Sequence, residues 1–223
     1  MKYDLGIVGG LGPLASSLLY ETITKNTNAN VDQYHLNICL LSHASIPDRT
    51  AFILGKSVDN PYPYLLEDCK TLEKMGVKKI SIPCNTSCYF HEKLQKEISV
   101  PINNIVKNTV EFVCKSGYKN VAIMATSGTI QSNLYQSELK KHNISYTLPN
   151  QEKVMEIIYD YVKKGKDVPK TLFDEIVNSL DVDAVILGCT ELPVVKRKLR
   201  LDEKYIDPIE IETNNVLAFF YKL

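Results

Sequence analysis

Two apolar runs far apart in the chain end in the same way, and that repetition restricts the fold more than any other feature. Residues 79–82 run into Pro83-Cys84-Asn85-Thr86, and residues 184–187 run into Gly188-Cys189-Thr190-Glu191. Upstream of each, another short run enters a tight turn. Residues 5–8 enter Gly9-Gly10-Leu11-Gly12-Pro13, and residues 121–125 enter Thr126-Ser127-Gly128-Thr129. Short β-rich runs alternating with longer helical segments are the pattern of a parallel α/β architecture. Met twice, the pattern predicts two similar α/β lobes. Each places one cysteine just beyond the carboxyl end of a strand, the edge at which open α/β sheets bind ligands.

The remaining elements follow from periodicity and punctuation. Helices are expected over 14–27, 62–75, 90–98, 108–115, from near 131, and over 152–163, 170–180 and 209–223. A further strand is expected over 35–41 and an extended segment at 100–102. The signal is clearest over 62–75, where Leu65, Leu66, Cys69, Leu72 and Met75 recur at helical spacing and Gly76 stops the run. The echo divides the chain into a first lobe of residues 1–101 with Cys84 and a second of 102–207 with Cys189. The tail, 208–223, is expected to return to the first lobe.

Composition removes several function classes. The 223 residues carry 26 Lys+Arg against 26 Asp+Glu, so no whole-molecule field draws nucleic acid or anionic lipid. The basic cluster at 196–200 reads as a solvated helix end. No apolar run reaches the length of a membrane span. Asp4 and the glycine-rich interruption after it do not fit an export signal, so the expected compartment is the cytoplasm, with reduced cysteines.

The six cysteines then divide by surroundings. Cys39, Cys69 and Cys114 lie on apolar stripes and read as small core fillers. Cys84, Cys88 and His91 form a weak metal set, because the spacing has no matching second pair. Neither Cys84 nor Cys189 has the Cys-x-x-Cys arrangement of a redox site. Both occupy polar, turn-forming loops instead. A helix behind Cys84 would place its sulfur at a positive dipole end, a setting that lowers a thiol pKa. Two facing thiols, one ionised and one protonated, suit a reaction that takes a proton from one face of a carbon and returns one to the other. The first glycine turn fails the Gly-x-Gly-x-x-Gly pattern, and no Gly-Lys-Ser/Thr follows, so it reads as a tight turn feeding a helix.

Gly6-Ile7-Val8-Gly9-Gly10-Leu11-Gly12-Pro13-Leu14-Ala15, Ile46-Pro47-Asp48-Arg49-Thr50, Pro83-Cys84-Asn85-Thr86 and Gly188-Cys189-Thr190-Glu191 closely resemble the aspartate/glutamate racemase family. The resemblance runs nearly end to end, through Ala125-Thr126-Ser127-Gly128-Thr129-Ile130 and Ile206-Asp207-Pro208. It implies two pseudo-symmetric three-layer lobes, each with a mainly parallel sheet, and an active site in the cleft between them. It implies racemisation with no cofactor and no metal, one cysteine abstracting the α-proton and the other reprotonating the opposite face. It also implies a homodimer, and a small acidic amino acid as the only partner. The first loop lacks the Asp-Ser-Gly of cell-wall glutamate racemases, and Glu191 stands where those enzymes usually carry His. Both departures favour the aspartate branch.

Substrate recognition can be assigned on the same motifs. A distal carboxylate needs a cation, and Arg49 is the best candidate because a guanidinium grips a carboxylate with two hydrogen bonds. The resemblance places a second cation at Lys163, with Lys164 one register away. Asn85, Thr86, Thr190 and Glu191 beside the cysteines, with Thr126 and Leu11 from the two turns, complete the expected binding set. The competing readings are a broader-specificity glutamate or amino-acid racemase, a related decarboxylase or isomerase, and a non-catalytic amino-acid-binding module. The pair of cysteines argues against the last two.

Overall fold

The computed structural model describes residues 2–221. It contains two separate parallel sheets. In the first, β1 (Leu5–Gly9) lies between β2 (Ile38–Ser42) and β3 (Lys79–Ser81), in the order β2-β1-β3. In the second, β4 (Asn120–Met124) pairs with β5 (Ser145–Thr147) and β6 (Ala184–Leu187), and β7 (Tyr205–Ile206) closes the order β5-β4-β6-β7. The sheets match position by position. The place that β7 holds in the second is taken in the first by a single parallel bridge, Ile80 to Ile102. Pro101 has no N–H to extend that bridge into a ladder.

The connecting helices are α1 (Pro13–Asn26), α2 (Arg49–Ile53), α3 (Tyr62–Lys74), α4 (His91–Glu97) and α5 (Ile105–Lys115) in the first half. In the second half they are α6 (Ser127–Gln131), α7 (Leu134–Lys141), α8 (Gln151–Glu156), α9 (Lys170–Val177), α10 (Leu192–Leu199) and α11 (Pro208–Tyr221). Pro13 opens α1 at a position where its missing N–H costs nothing. Asp48, Asn104, Thr126 and Asn150 cap α2, α5, α6 and α8 through side-chain oxygens.

Strand side chains alternate between two buried faces, which makes each lobe three-layered. Leu5 and Ile7, and likewise Val121, Ile123, Ala184 and Ile186, face a central core filled by α1, α5, α7 and α11. Val8 and Ile80 face outward onto Leu65, Cys69 and Leu72 of α3 and Leu94 of α4. Ala122, Met124, Val185 and Leu187 face outward onto α8, α9 and α10. The last helix of each half crosses over. α11, which follows β7, packs on α1, and α5, which follows Ile102, packs on α7 and α11. Buried Glu212 ties α11 to the first sheet, accepting from Ser81 Oγ of β3 and from Asn103 Nδ2 at 2.9 Å.

Several expectations need correction. The strand expected over 35–41 begins only at Ile38, because Asp32–Tyr34 forms a 3-10 turn. The helix expected from near 131 is two helices, α6 and α7, separated by left-handed Asn133 at φ 54°. The helix expected over 152–163 is regular only through α8. It then widens into a π turn at Ile157–Tyr161 and tightens into a 3-10 turn at Val162–Lys164. The helix expected directly behind Cys84 is a 3-10 turn, Thr86–Phe90, and α4 starts after it. Cys114 is exposed, because Val106, Val110 and Val113 take the inward face of α5. The cluster at 196–200 is not simply solvated: Lys196 reaches Glu210 at 3.3 Å and Arg197 donates to Thr22 at 2.9 Å. The closing helix runs Pro208–Tyr221, and the last two residues of its expected span, 222 and 223, lie outside the described residues. No helix among the described residues is long and apolar enough to cross a membrane.

Candidate active site

The carboxyl ends of β3 and β6 deliver Cys84 and Cys189 into one narrow recess. From the first half it is lined by Leu11, Arg49, Cys84, Asn85 and Thr86, and from the second by Thr126, Lys163, Cys189, Thr190 and Glu191. The expected catalytic and binding residues are therefore brought to one place, with Lys163 and not Lys164 on its lining, while Cys88 and His91 lie outside it. Lys164 pairs with Asp160 at 2.6 Å on the exposed side of its turn. Three lining residues were missed: Asp48, Thr50 and Tyr159. Asp48 and Thr50 stood inside the quoted Arg49 motif. Tyr159 lies in the π turn, and no periodicity in the sequence announces it. A wider groove adjoins the recess, shares Leu11, Asp48, Arg49, Lys163 and Glu191 with it, and adds Leu14, Ile46 and Val162.

Arg49 is buried, and its guanidinium is anchored by backbone alone. Nη1 donates to Ile46 O at 3.2 Å and Pro47 O at 3.0 Å, and Nη2 donates to Leu11 O. A guanidinium has five N–H groups in a fixed plane. The Nε–H is buried without a partner, and Nη2 beside it makes one hydrogen bond, to Leu11 O. Those two form a side-on fork, the shape that holds a carboxylate through parallel hydrogen bonds. No acidic side chain pairs with Arg49 among the described residues, and its Nε–H is buried without an acceptor.

Opposite, Lys163 sits 3.9 Å from Asp48 Oδ2, with its ammonium 4.2 Å above the Tyr159 ring. Tyr159 donates to the same carboxylate oxygen at 3.3 Å. Burial pulls the Lys163 pKa down, but Glu191, Tyr159, Cys189 and Asp48 together outweigh it and raise the value above that of a free lysine. Lys163 thus stays a cation at the edge of the recess.

The cysteine loops are tied to each other. Thr190 Oγ1 donates to Pro83 O at 3.1 Å, which links the residue after Cys189 to the residue before Cys84. Thr86 Oγ1 lies 3.0 Å from Thr126 Oγ1 and 2.9 Å from Thr129 Oγ1, and the last two are 3.1 Å apart. Three buried hydroxyls from both halves thus form a triangle. Asn85 Nδ2 is buried without a partner. The Cys189 thiol donates to Glu191 Oε2 at 2.9 Å. Burial is the largest cause of a thiol pKa raised well above the ordinary value, and the adjacent Glu191 carboxylate adds to it. Cys189 therefore rests as a thiol, a proton donor.

A pair of parallel-sheet lobes, each presenting a cysteine beyond an equivalent strand, with a buried arginine beside one shared recess, is the class of fold and site that the chain presents. The Asp/Glu/Hydantoin racemase family model matches residues 8–216, and the chain belongs to that family. It is similar to the aspartate racemase of Picrophilus torridus, with 29% identity, a TM-score of 0.86, and coverage of 97% of this chain and 94% of the other. It is 27% identical to the broad specificity amino-acid racemase RacX of Bacillus subtilis, over 91% of this chain and 92% of that protein. It is also 27% identical to the glutamate racemase of Aquifex pyrophilus, over 70% of this chain and 61% of that protein.

Proposed function

We propose that this racemase-family protein interconverts L- and D-aspartate by a two-base mechanism in which Cys84 and Cys189 face opposite sides of the α-carbon. The observation that carries the reading is the arrival of both thiols, from equivalent strand ends, in a recess that Arg49 also lines. The likeness to an aspartate racemase over nearly the whole chain supports the choice of substrate. The proposal extends to a homodimer working in the cytoplasm, and to a division into residues 1–101 with 208–223 and residues 102–207.

The chemistry follows from the groups present. Arg49 takes the distal carboxylate through Nε–H and Nη2–H, with Lys163 adding positive charge. The α-carboxylate faces Asn85 Nδ2 and the hydroxyls of Thr86 and Thr126. Removal of the α-proton by the Cys84 thiolate places negative charge on the enediolate of that carboxylate, where preorganised donors stabilise it most. The Cys189 thiol then delivers its proton to the opposite face, and Cys189 is left as the thiolate beside Lys163. In the reverse direction the roles exchange: the Cys189 thiolate takes the α-proton and the Cys84 thiol returns one to the opposite face. Thr190, whose hydroxyl is committed to Pro83, contributes by holding the two loops together.

A second reading is a broader amino-acid racemase. The groove beside the recess favours it, because Leu14, Ile46 and Val162 give apolar side chains a place to lie. Cys84→Ala and Cys189→Ala separate both racemase readings from a one-base reaction. Each should lower racemisation in both directions by at least about 1000-fold, the scale expected on losing an essential proton-transfer group. Near-wild-type turnover by either variant in both directions contradicts the mechanism.

A further inference from the structure

Beneath the recess, one side chain touches the loop of each cysteine. Tyr135 lies in the first turn of α7, fully buried, and its hydroxyl donates to Asn85 Oδ1 at 2.6 Å. Its ring lies against Gly188, where a β-carbon would come within 2.9 Å of Tyr135 Cε2. Tyr135 therefore abuts the residue after Cys84 and the residue before Cys189. The left-handed turn at Asn133 separates α7 from α6 two residues before Tyr135.

The contact matters for which end of Asn85 faces a ligand. An asparagine amide carries one acceptor oxygen and two donor hydrogens on nitrogen. The phenol proton occupies the oxygen, and the nitrogen is left buried with no partner in the protein. A buried donor without a partner is unfavourable unless a ligand supplies the acceptor. Because Asn85 lines the recess, the acceptor it lacks is one that a carboxylate supplies.

We propose that Tyr135 is a positioning residue. By occupying Asn85 Oδ1, it fixes the amide with Nδ2 toward the recess and the substrate α-carboxylate. Without the phenol proton the amide is free to turn its oxygen toward that carboxylate, and acceptor would then face acceptor. The ring, pressed on Gly188, holds the Cys189 loop at the same time. This inference rests on the racemase reading for the identity of the ligand in the recess.

Tyr135→Phe removes the hydroxyl and keeps the ring on Gly188. Aspartate racemisation and calorimetric binding of aspartate are measured for wild type, Tyr135→Phe, Asn85→Ala and the double variant, with melting temperatures alongside. The expected result is a fall in kcat/KM of about tenfold for Tyr135→Phe, carried mainly by KM, with a melting temperature lowered by only a few degrees. The double variant should be no worse than Asn85→Ala, because the hydroxyl acts through the amide. Wild-type kinetics in Tyr135→Phe, or a double variant that loses the product of both single effects, overturns the proposal. If Tyr135→Phe does not fold, Asn85→Asp asks the same question, since it keeps an acceptor for Tyr135 and removes the donor facing the recess. KM should rise at least about tenfold, and an unchanged KM overturns the proposal. Failure of the racemase reading looks different: the wild type itself turns nothing over. The variants are then compared by affinity for aspartate, and equal affinity of wild type and Tyr135→Phe overturns the role of Tyr135.

Discussion

Gly12 and Glu191 meet across the two halves of the molecule, so closely that a β-carbon on Gly12 would lie 2.6 Å from Glu191 Oε1. The backbone of Gly12 is extended, with φ −155°, so glycine is required there for space and not for conformation. The other oxygen of the same carboxylate accepts from the Cys189 thiol. The first glycine turn therefore decides where the partner of Cys189 can stand.

Gly12→Ala should push the Glu191 carboxylate away from Cys189 and leave the fold intact, because the obstructed atoms end a flexible side chain. The expected outcome is a drop in kcat of about tenfold or more with little change in melting temperature, read from steady-state kinetics and thermal unfolding. Unchanged kcat would detach Glu191 from the chemistry of Cys189.

Arg49→Lys keeps the charge and loses the planar fork. KM for aspartate should rise by about 10- to 100-fold, and the preference for aspartate over alanine should shrink by a similar factor. Some stability should also go, since the carbonyls of Leu11, Ile46 and Pro47 lose donors. Preserved discrimination against alanine would show that the distal carboxylate is held elsewhere.

Asp207 supplies a prediction in pH. It caps the start of α11 through Ile209 N at 2.7 Å, while its second oxygen is buried and unpartnered. Burial is the main cause that pushes its carboxyl up from 3.8 to about 6, with Glu210 adding to it. Between those values the folded protein holds a proton that the unfolded chain has released, so stability falls as pH rises through that window. Above pH 6 the buried charge costs about 2–3 kcal/mol. Asp207→Asn keeps the cap and removes the charge. It should raise the melting temperature at pH 7.5 and have progressively less effect below pH 6, followed by thermal unfolding across that range.

Much of this was legible because strand ends, glycine turns and polar loop cysteines are local signals. The strands at Leu5, Lys79, Asn120 and Ala184 and the two loop cysteines needed little beyond pattern, whereas Arg49 and Lys163 were singled out through the family resemblance. What stayed hidden is set by tertiary contact. β5 (Ser145–Thr147) has three exposed residues, and β7 has only two residues. Neither carries an apolar run of its own, so only pairing with β4 and β6 makes them strands. Tyr159 depends on a π turn, and no periodicity announces one. Tyr135 reads as an ordinary core aromatic until Asn85 is seen to accept its hydroxyl. The thiol expected to be acidified by a following helix met a 3-10 turn. The Cys189 thiol is raised by burial that sequence does not display.

The two-base claim is tested most directly by α-hydrogen exchange during turnover. Enzyme is incubated with L-aspartate in deuterium oxide without added cofactor, and both enantiomers are recovered early in the reaction. D-Aspartate carrying one deuterium at the α-carbon, alongside L-aspartate that still holds its original hydrogen, is the result expected of two thiols on opposite faces. No exchange and no inversion, or deuterium entering the recovered L-aspartate as fast as the D-aspartate, would contradict it.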